Sequence, residues 1–368
     1  MARARQQALR ILMTSPALNR SGGVAQYLRT VQPHFRSEID YFTVGSRSDA
    51  ERLGRSMVRL VGDWWRFTRT LLGGRYEMVH LNPSLGSKAL IRDGVLLLVA
   101  KTLGRTVVVF THGWDKQCER VLAGVFLPLF RWVYCRADAF IVLGREFAKS
   151  LRLLGYRKAI FVEGAPIEEE LLVDDQEASP DHPKEQRFRV LFLARVERQK
   201  GVYEALDTFR ILQSQYPFVE MIMAGVGPEL QRARDYARSH GLTKVEFPGH
   251  LEGAAKRRAF ASADAYLFPS RTEGLPISVL EAMAQGLPLV ARAVGGLPDF
   301  FQNGRMGFLT ERGEPEVFAS LLSELIGNPA LCLSIAHFNR RYAREHFRPT
   351  QVAARLEDIY QFVYECAH

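Results

Sequence analysis

A short apolar run, a turn and a helix-length amphipathic segment recur along this whole chain. In the first half the runs are Arg10–Thr14, Ile39–Val44, Met78–Leu81, Thr106–Phe110, Ala139–Leu143 and Ala159–Val162. In the second they are Arg189–Leu193, Phe218–Ala224, Lys244–Phe247, Ala265–Phe268 and Pro288–Ala291. Runs of this length, rich in branched and aromatic residues and stopped by Gly, Pro or Ser, read as strands. Strands joined by helices are parallel, because a parallel neighbour can be reached only by a long crossover. The pattern therefore predicts doubly wound parallel sheets, which bind ligands beyond the carboxyl ends of their strands.

The alternation breaks once, over 166–187. Pro166-Ile167-Glu168-Glu169-Glu170 and Asp174–Pro180 are acidic, proline-containing and aperiodic, which marks an interdomain linker. A length of 368 residues suits two domains, placed at 1–165 and 188–349. The content, 47% hydrophobic and 24% charged, is that of a globular protein. A single hydrophobic helix is expected over 117–135. Cys118, Cys135, Cys332 and Cys366 are scattered without a CxxC, which points to a reducing cytoplasm and away from disulfides or zinc. The apolar run after the basic Met1–Arg10 is too short for a signal peptide.

One stretch carries the most chemistry: Pro269-Ser270, then Glu273-Gly274-Leu275-Pro276-Ile277-Ser278-Val279-Leu280-Glu281. It reads as a strand end, a glycine turn and a helix with Pro276 at its first position and Gly286 just past its end. The backbone N–H groups from Gly274 to Ser278 then lack intrahelical partners and form an anion site. Glu273 and Glu281 flank it, roughly 8–12 Å apart at the helical rise. That spacing is too wide for an acid/base dyad. It suits one acceptor for sugar hydroxyls and one for ribose hydroxyls, with amides between them for a diphosphate. Taken alone, the stretch is equally a strand-loop-helix unit with surface glutamates.

Arg195 and Lys200 lie in another strand-to-helix loop of the same half. Arg195 offers a planar fork to phosphate and Lys200 a point charge. Together they can neutralise a diphosphate leaving group. Gly225-Val226-Gly227 is half of a dinucleotide fingerprint, with Leu230 where the third glycine belongs. The chain has no P-loop, HExxH or DxD, so no metal ligand set is expected. In the first half, Gly22, Gly23 and His112 all fall at strand-to-helix turns.

Taken together, these motifs resemble the retaining glycosyltransferases of family four. The matching features, in order, are Gly22-Gly23, Thr111-His112-Gly113, the Arg195 to Lys200-Gly201 loop, Gly225-Val226-Gly227-Pro228, Phe247-Pro248-Gly249 and Glu273-x7-Glu281. The resemblance implies an α/β GT-B fold: two Rossmann-like domains facing a central cleft, with the last helix, 350–368, crossing back onto the first. It also implies a metal-independent, retaining hexosyltransferase with no cofactor, whose donor is a UDP- or GDP-linked sugar. In that pattern Arg195 and Lys200 hold the diphosphate, Glu273 meets the sugar and Glu281 the ribose. Gly274, Leu275, Pro276 and Ile277 face phosphate or sugar. Gly225 belongs to the donor site, and Gly249, His250 and Leu251 lie near the base. Gly22 and Gly23 approach the phosphate, and His112 lies beside the reacting sugar. The chain departs from the family at Gly144, where serine is usual.

The formal net charge of +9 is uneven. Residues 1–165 hold 26 Lys and Arg against 12 Asp and Glu, whereas 166–368 hold 23 against 28. A basic half suits an anionic partner, or it supplies solubility alone. Arg52, Arg55, Arg59, Arg66 and Arg69 share a helix with Trp64 and Trp65. That helix fits an anionic membrane surface, or a solvated helix with its tryptophans turned inward. The expected acceptor is a glycan or polyprenyl-diphosphate-linked sugar of a surface polysaccharide, at the cytoplasmic face of the membrane. Two other classes fit less well: a nucleotide-sugar epimerase of the same fold, and a basic binding protein without catalysis. No nucleic-acid motif supports the latter.

Overall fold

The computed structural model describes residues 9–19, 22–45, 53–83, 87–114, 116–172 and 187–368. The chain divides into two compact units, 1–166 with 349–368 and 167–348. Ile167 and Leu171, within the segment read as linker, are buried in the second unit. Residues 173–186 lie outside the described residues.

The first unit is built on strands β1 (Arg10–Ser15), β2 (Glu38–Thr43), β3 (Met78–Leu81), β4 (Thr106–Thr111), β5 (Ala139–Val142) and β6 (Ala159–Val162). They form one parallel sheet in the order β2-β1-β3-β4-β5-β6. The connecting helices are α1 (Gly23–Val31), α2 (Leu53–Gly73), α3 (Ser87–Thr102), α4 (Lys116–Ala123), α5 (Leu127–Tyr134) and α6 (Arg145–Leu153). Strands β3, β4 and β5 are buried along their whole length, as expected where helices cover both faces of a parallel sheet.

The single helix predicted over 117–135 is instead two, α4 and α5. A continuous helix would need a Pro128 N–H bonded to the Gly124 carbonyl. Proline has no N–H, and its ring would meet that carbonyl. The Gly124 carbonyl instead accepts from the Leu127 N–H at 3.1 Å. Pro128 then sits in the first turn of α5, where its missing donor costs nothing.

The second unit contains β7 (Phe188–Leu193), α7 (Val202–Gln215), β8 (Val219–Ala224), α8 (Leu230–Ser239), β9 (Val245–Gly249), α9 (Gly253–Ala261), β10 (Ala265–Phe268), α10 (Ile277–Ala284), β11 (Leu289–Arg292) and β12 (Gly307–Thr310), then α11 (Pro315–Gly327) and α12 (Pro329–His346). Its parallel sheet runs β12-β11-β10-β7-β8-β9, the Rossmann order. The periodicity did not reveal β12, a four-residue edge strand that opens on a glycine. Helix α7 buries Val202, Ala205, Leu206, Phe209 and Leu212 on one face. Each of its larger apolar side chains stabilises the unit by about 1.5–3 kcal/mol relative to exposure.

The last helix, α13 (Pro349–Ala367), belongs to the first unit. There it packs against α1 and β4 and buries Val352, Leu356, Tyr360 and Val363.

Candidate functional site

In the second sheet the strand order reverses between β7 and β10. Crossovers leave in opposite directions there, and the carboxyl ends of strands at such a reversal are where a doubly wound sheet receives its ligand. Lys200 lies in the loop after β7 and Glu273 in the loop after β10. Lys200 Nζ is 2.6 Å from Glu273 Oε1, and both side chains are largely buried. The Ser270 hydroxyl donates to the same carboxylate oxygen at 2.7 Å. The two loops are pressed together. The Arg271 N–H donates to the Gln199 carbonyl at 2.9 Å. A Cβ on Gly201, which holds φ +77°, would lie 2.5 Å from the Pro269 carbonyl oxygen. Arg195 is not brought to this pair. It is exposed and reaches Glu197 at 2.8 Å.

Helix α10 starts at Ile277, so Pro276 is its N-cap, at φ −74° and ψ 107°, rather than its first residue. The residue before a proline avoids helical dihedrals, and Pro276 itself stays extended, so the turn closes one residue later than predicted. Among the described residues the N–H groups of Gly274, Leu275, Ile277 and Ser278 have no acceptor within the protein. The far end closes as predicted. Gly286, at φ +81°, donates to the Met283 carbonyl at 2.8 Å and Leu287 to that of Ala282 at 2.9 Å.

The Glu273–Ser278 loop is held on two more sides. The Gly296 N–H donates to the Gly274 carbonyl at 2.8 Å, and a Cβ on Gly295 would lie 2.1 Å from that oxygen. Tyr266 Oη lies 2.8 Å from both the Leu193 carbonyl oxygen and Ser278 Oγ. The phenol donates to the carbonyl, so the serine hydroxyl donates to the phenol.

Glu281 is buried, and its Oε1 lies 3.0 Å from Lys256 Nζ. Lys256 also meets Glu168 at 3.1 Å. Burial disfavours the ammonium, but the two carboxylates more than offset it and hold its pKa above the ordinary range. Glu273 and Glu281 are thus each matched to a lysine.

Gly225 and Gly227 have a packing role. A Cβ on Gly225 would fall 1.8 Å from the Ala194 carbonyl oxygen, and one on Gly227 2.4 Å from that of Val196. The Gly225 N–H donates to the Gly249 carbonyl at 2.7 Å. These glycines let the loops after β7, β8 and β9 join by backbone bonds. His250 is exposed and pairs with Glu252 at 2.8 Å, and Leu251 beside it is half-buried.

In the first sheet the order reverses between β1 and β3. Gly22 caps α1 at φ +155° and Gly23 opens the helix. A Cβ on either would meet nothing within 4 Å, so the backbone there is open. His112 follows β4. Its ring stacks on Phe110, with centroids 4.0 Å apart, and meets the edge of Tyr27. His112 Nε2 is 2.8 Å from Asn82 Oδ1, which also lies 3.1 Å from His80 Nε2. Burial lowers the His112 pKa to about 3, with a further push from His80. Burial lowers that of His80 to about 4. Gly144 caps α6 without a side-chain bond.

Sequence reasoning missed His80, Asn82, Tyr360 and Lys256, and placed Ser270 only as a strand end. The only local signal was His80-x-Asn82 at a strand end, where alternation puts both side chains on one face.

Two parallel sheets of these orders define the class: the fold is that of the GT-B glycosyltransferases. Residues 13–162 match the glycosyl transferase 4-like domain and residues 174–342 the glycosyl transferases group 1 family. The chain belongs to the family-four-like glycosyltransferases. It is 26% identical over 256 residues to the colanic acid biosynthesis glycosyltransferase WcaL of Salmonella typhimurium, covering 67% of this chain and 60% of that protein. It is 31% identical over 148 residues to the amylovoran biosynthesis glycosyltransferase AmsK of Erwinia amylovora, covering 38% and 36%. The chain spans about 60% of the length of its colanic acid relatives. Anabaena HepE, solved with UDP and with UDP-glucose, has the same fold at a TM-score of 0.74 and 19% identity, over 96% of this chain and 99% of that one.

Proposed function

We propose that this protein transfers a hexose, with retention of anomeric configuration, from a UDP- or GDP-linked donor to a glycan or polyprenyl-diphosphate-linked acceptor in surface polysaccharide synthesis. The observation that carries this reading is the Lys200–Glu273 pair beside the unbonded N–H groups at the start of α10. A cation, a carboxylate and free amides at a topological switch point suit an anionic sugar ester. The relatives in colanic acid and amylovoran synthesis and the UDP and UDP-glucose complexes of HepE support the same substrate class.

In the proposed reaction Lys200 takes the charge that develops on the leaving diphosphate, joined by Arg195 once its exposed side chain leaves Glu197. Glu273 accepts hydrogen bonds from the sugar hydroxyls. The acceptor hydroxyl attacks C1 on the face the diphosphate leaves. The C1–O bond to the acceptor forms as the C1–O bond to phosphate breaks, and the hydroxyl proton passes to the departing phosphate oxygen. No carboxylate nucleophile is required, and protein cations serve where other transferases use a metal.

The test is thermal unfolding across UDP, GDP and their sugars, followed by NMR of the anomeric product. A ligand that binds only the folded state raises Tm. The absence of a shift with any nucleotide would refute the reading.

We further propose that the first unit meets the inner face of the membrane. Among the described residues no single helix is long and apolar enough to cross one. The helices α2, α4 and α5 nevertheless present apolar side chains to solvent. Trp65 is 62% exposed with Arg69 over its ring, whereas Trp64 packs inward. Val121, Val125, Phe126, Leu129 and Trp132 are exposed on and between α4 and α5, with Arg136 over Trp132. Exposed aromatics with arginine suit an anionic lipid interface.

A further inference from the structure

The Asn82 side chain is oriented by a group that can only accept. Its Nδ2 lies 2.7 Å from the Thr14 carbonyl oxygen, and its own N–H donates to Thr14 Oγ1 at 2.9 Å. The amide nitrogen must face that carbonyl, so Oδ1 faces the two imidazoles. An amide oxygen accepts and cannot donate. His112 Nε2 at 2.8 Å and His80 Nε2 at 3.1 Å must therefore both carry protons.

A neutral imidazole has one N–H, so both Nδ1 atoms are lone pairs. Tyr360 Oη lies 2.8 Å from His80 Nδ1 and donates to it. Burial raises the Tyr360 pKa well above its ordinary value and keeps that phenol protonated. His112 Nδ1 has no partner among the described residues. The reverse tautomer of His112 would set its Nε2 lone pair against Oδ1. Turning the amide over to relieve this would set two oxygens, Oδ1 and the Thr14 carbonyl, against each other.

We infer that Thr14, Asn82, His80 and Tyr360 form a positioning set that locks His112 as the Nε2–H tautomer and leaves its Nδ1 as an acceptor for a hydroxyl of the sugar substrate. The lock stands on the first unit alone. Its use rests on the glycosyltransferase reading. A fixed acceptor orients one hydroxyl and offers no proton to the reaction, so His112 aligns the sugar and does not serve as a general acid.

Long-range proton–nitrogen NMR of the nitrogen-15-labelled full chain at neutral pH reads the tautomer directly. The two imidazoles are assigned by the loss of their signals in His112→Gln and His80→Gln. Both should be wholly Nε2–H. An Nδ1–H or exchanging His112 would overturn the inference, and His112→Asn supplies the assignment if His112→Gln does not fold. Asn82→Leu should release His112 into a tautomer mixture. An unchanged His112 in Asn82→Leu would remove Asn82 from the set.

In transfer assays, an asparagine amide overlays Nδ1 and a glutamine amide overlays Nε2. His112→Asn should therefore retain at least tenfold more kcat than His112→Gln, and equal or reversed losses would sink the acceptor role. If the wild type shows no transfer at all, the glycosyltransferase reading fails while the spectrum still judges the lock.

Discussion

The ammonium of Lys256 sits 3.0 Å from the carboxylate of Glu281, and both side chains are nearly fully buried. This contact ties α9 to α10. Lys256 also reaches Glu168, whose side chain is 42% exposed. The carboxylate read from the sequence as a ribose contact is therefore also a structural anchor.

Glu281→Gln leaves the Lys256 charge buried with only its more exposed partner. Breaking one half of a buried pair is costly, and the remaining carboxylate softens the loss to about 2–3 kcal/mol. Glu168→Gln removes a partner in contact with water and should cost no more than about 1 kcal/mol. Urea unfolding of the two variants checks this order.

Lys200→Ala and Glu273→Gln should separate the two halves of the donor. Lys200→Ala should abolish most of the nucleotide-induced rise in Tm and lower kcat by about 10²–10³-fold. Glu273→Gln should keep the shift caused by the bare nucleotide and lose the increment added by the sugar. Its kcat should fall about 10–100-fold, the worth of a charged hydrogen bond. Thermal shifts with UDP or GDP, with and without the sugar, provide the readout.

The glycines should divide into two kinds. Gly225→Ala sets a Cβ 1.8 Å from a carbonyl oxygen at φ +139° and should destabilise by about 2–4 kcal/mol. Gly23→Ala adds a methyl to open space in the first turn of α1 and should stabilise by up to about 1 kcal/mol. Under the proposed function, Gly23→Ala should nonetheless lose activity, because the added side chain narrows the approach to the helix terminus. Chemical denaturation alongside transfer assays distinguishes packing from binding.

Stability should fall on mild acidification. The pKa values of His80 and His112 are lowered to about 4 and about 3 in the folded chain, each chiefly by burial. Between the unfolded value near 6.5 and these, the unfolded state binds more protons, so folding stability rises with pH across that window. Each histidine should cost up to about 2 kcal/mol at about pH 5 and add little slope above about pH 7.5. Urea midpoints against pH should flatten in the His80→Gln, His112→Gln double variant.

Phe126→Ser with Trp132→Ser should lower flotation with anionic vesicles about tenfold or more, from the apolar area withheld from lipid. Added salt should weaken wild-type binding through screening of the arginines. Vesicle binding that is unchanged in the double variant would remove α4 and α5 from the proposed surface.

The alternation of runs and helices determined, without coordinates, two parallel sheets and the placing of Lys200, Glu273, Gly22 and His112 beyond strand ends. That information is local, because side-chain period and connection length are written into neighbouring residues. The break at Pro128 is written just as locally, but the single helix expected over 117–135 passed over it. What only the tertiary structure decided was which groups meet. Lys200 finds Glu273 across 73 residues and His80 finds Tyr360 across 280. Glu281 is turned inward onto Lys256. Gly225 has the same side chain whether it admits a phosphate or a neighbouring carbonyl. Partner choice depends on which strands the sheet makes adjacent, and pairwise distance across the chain leaves no trace in residue order.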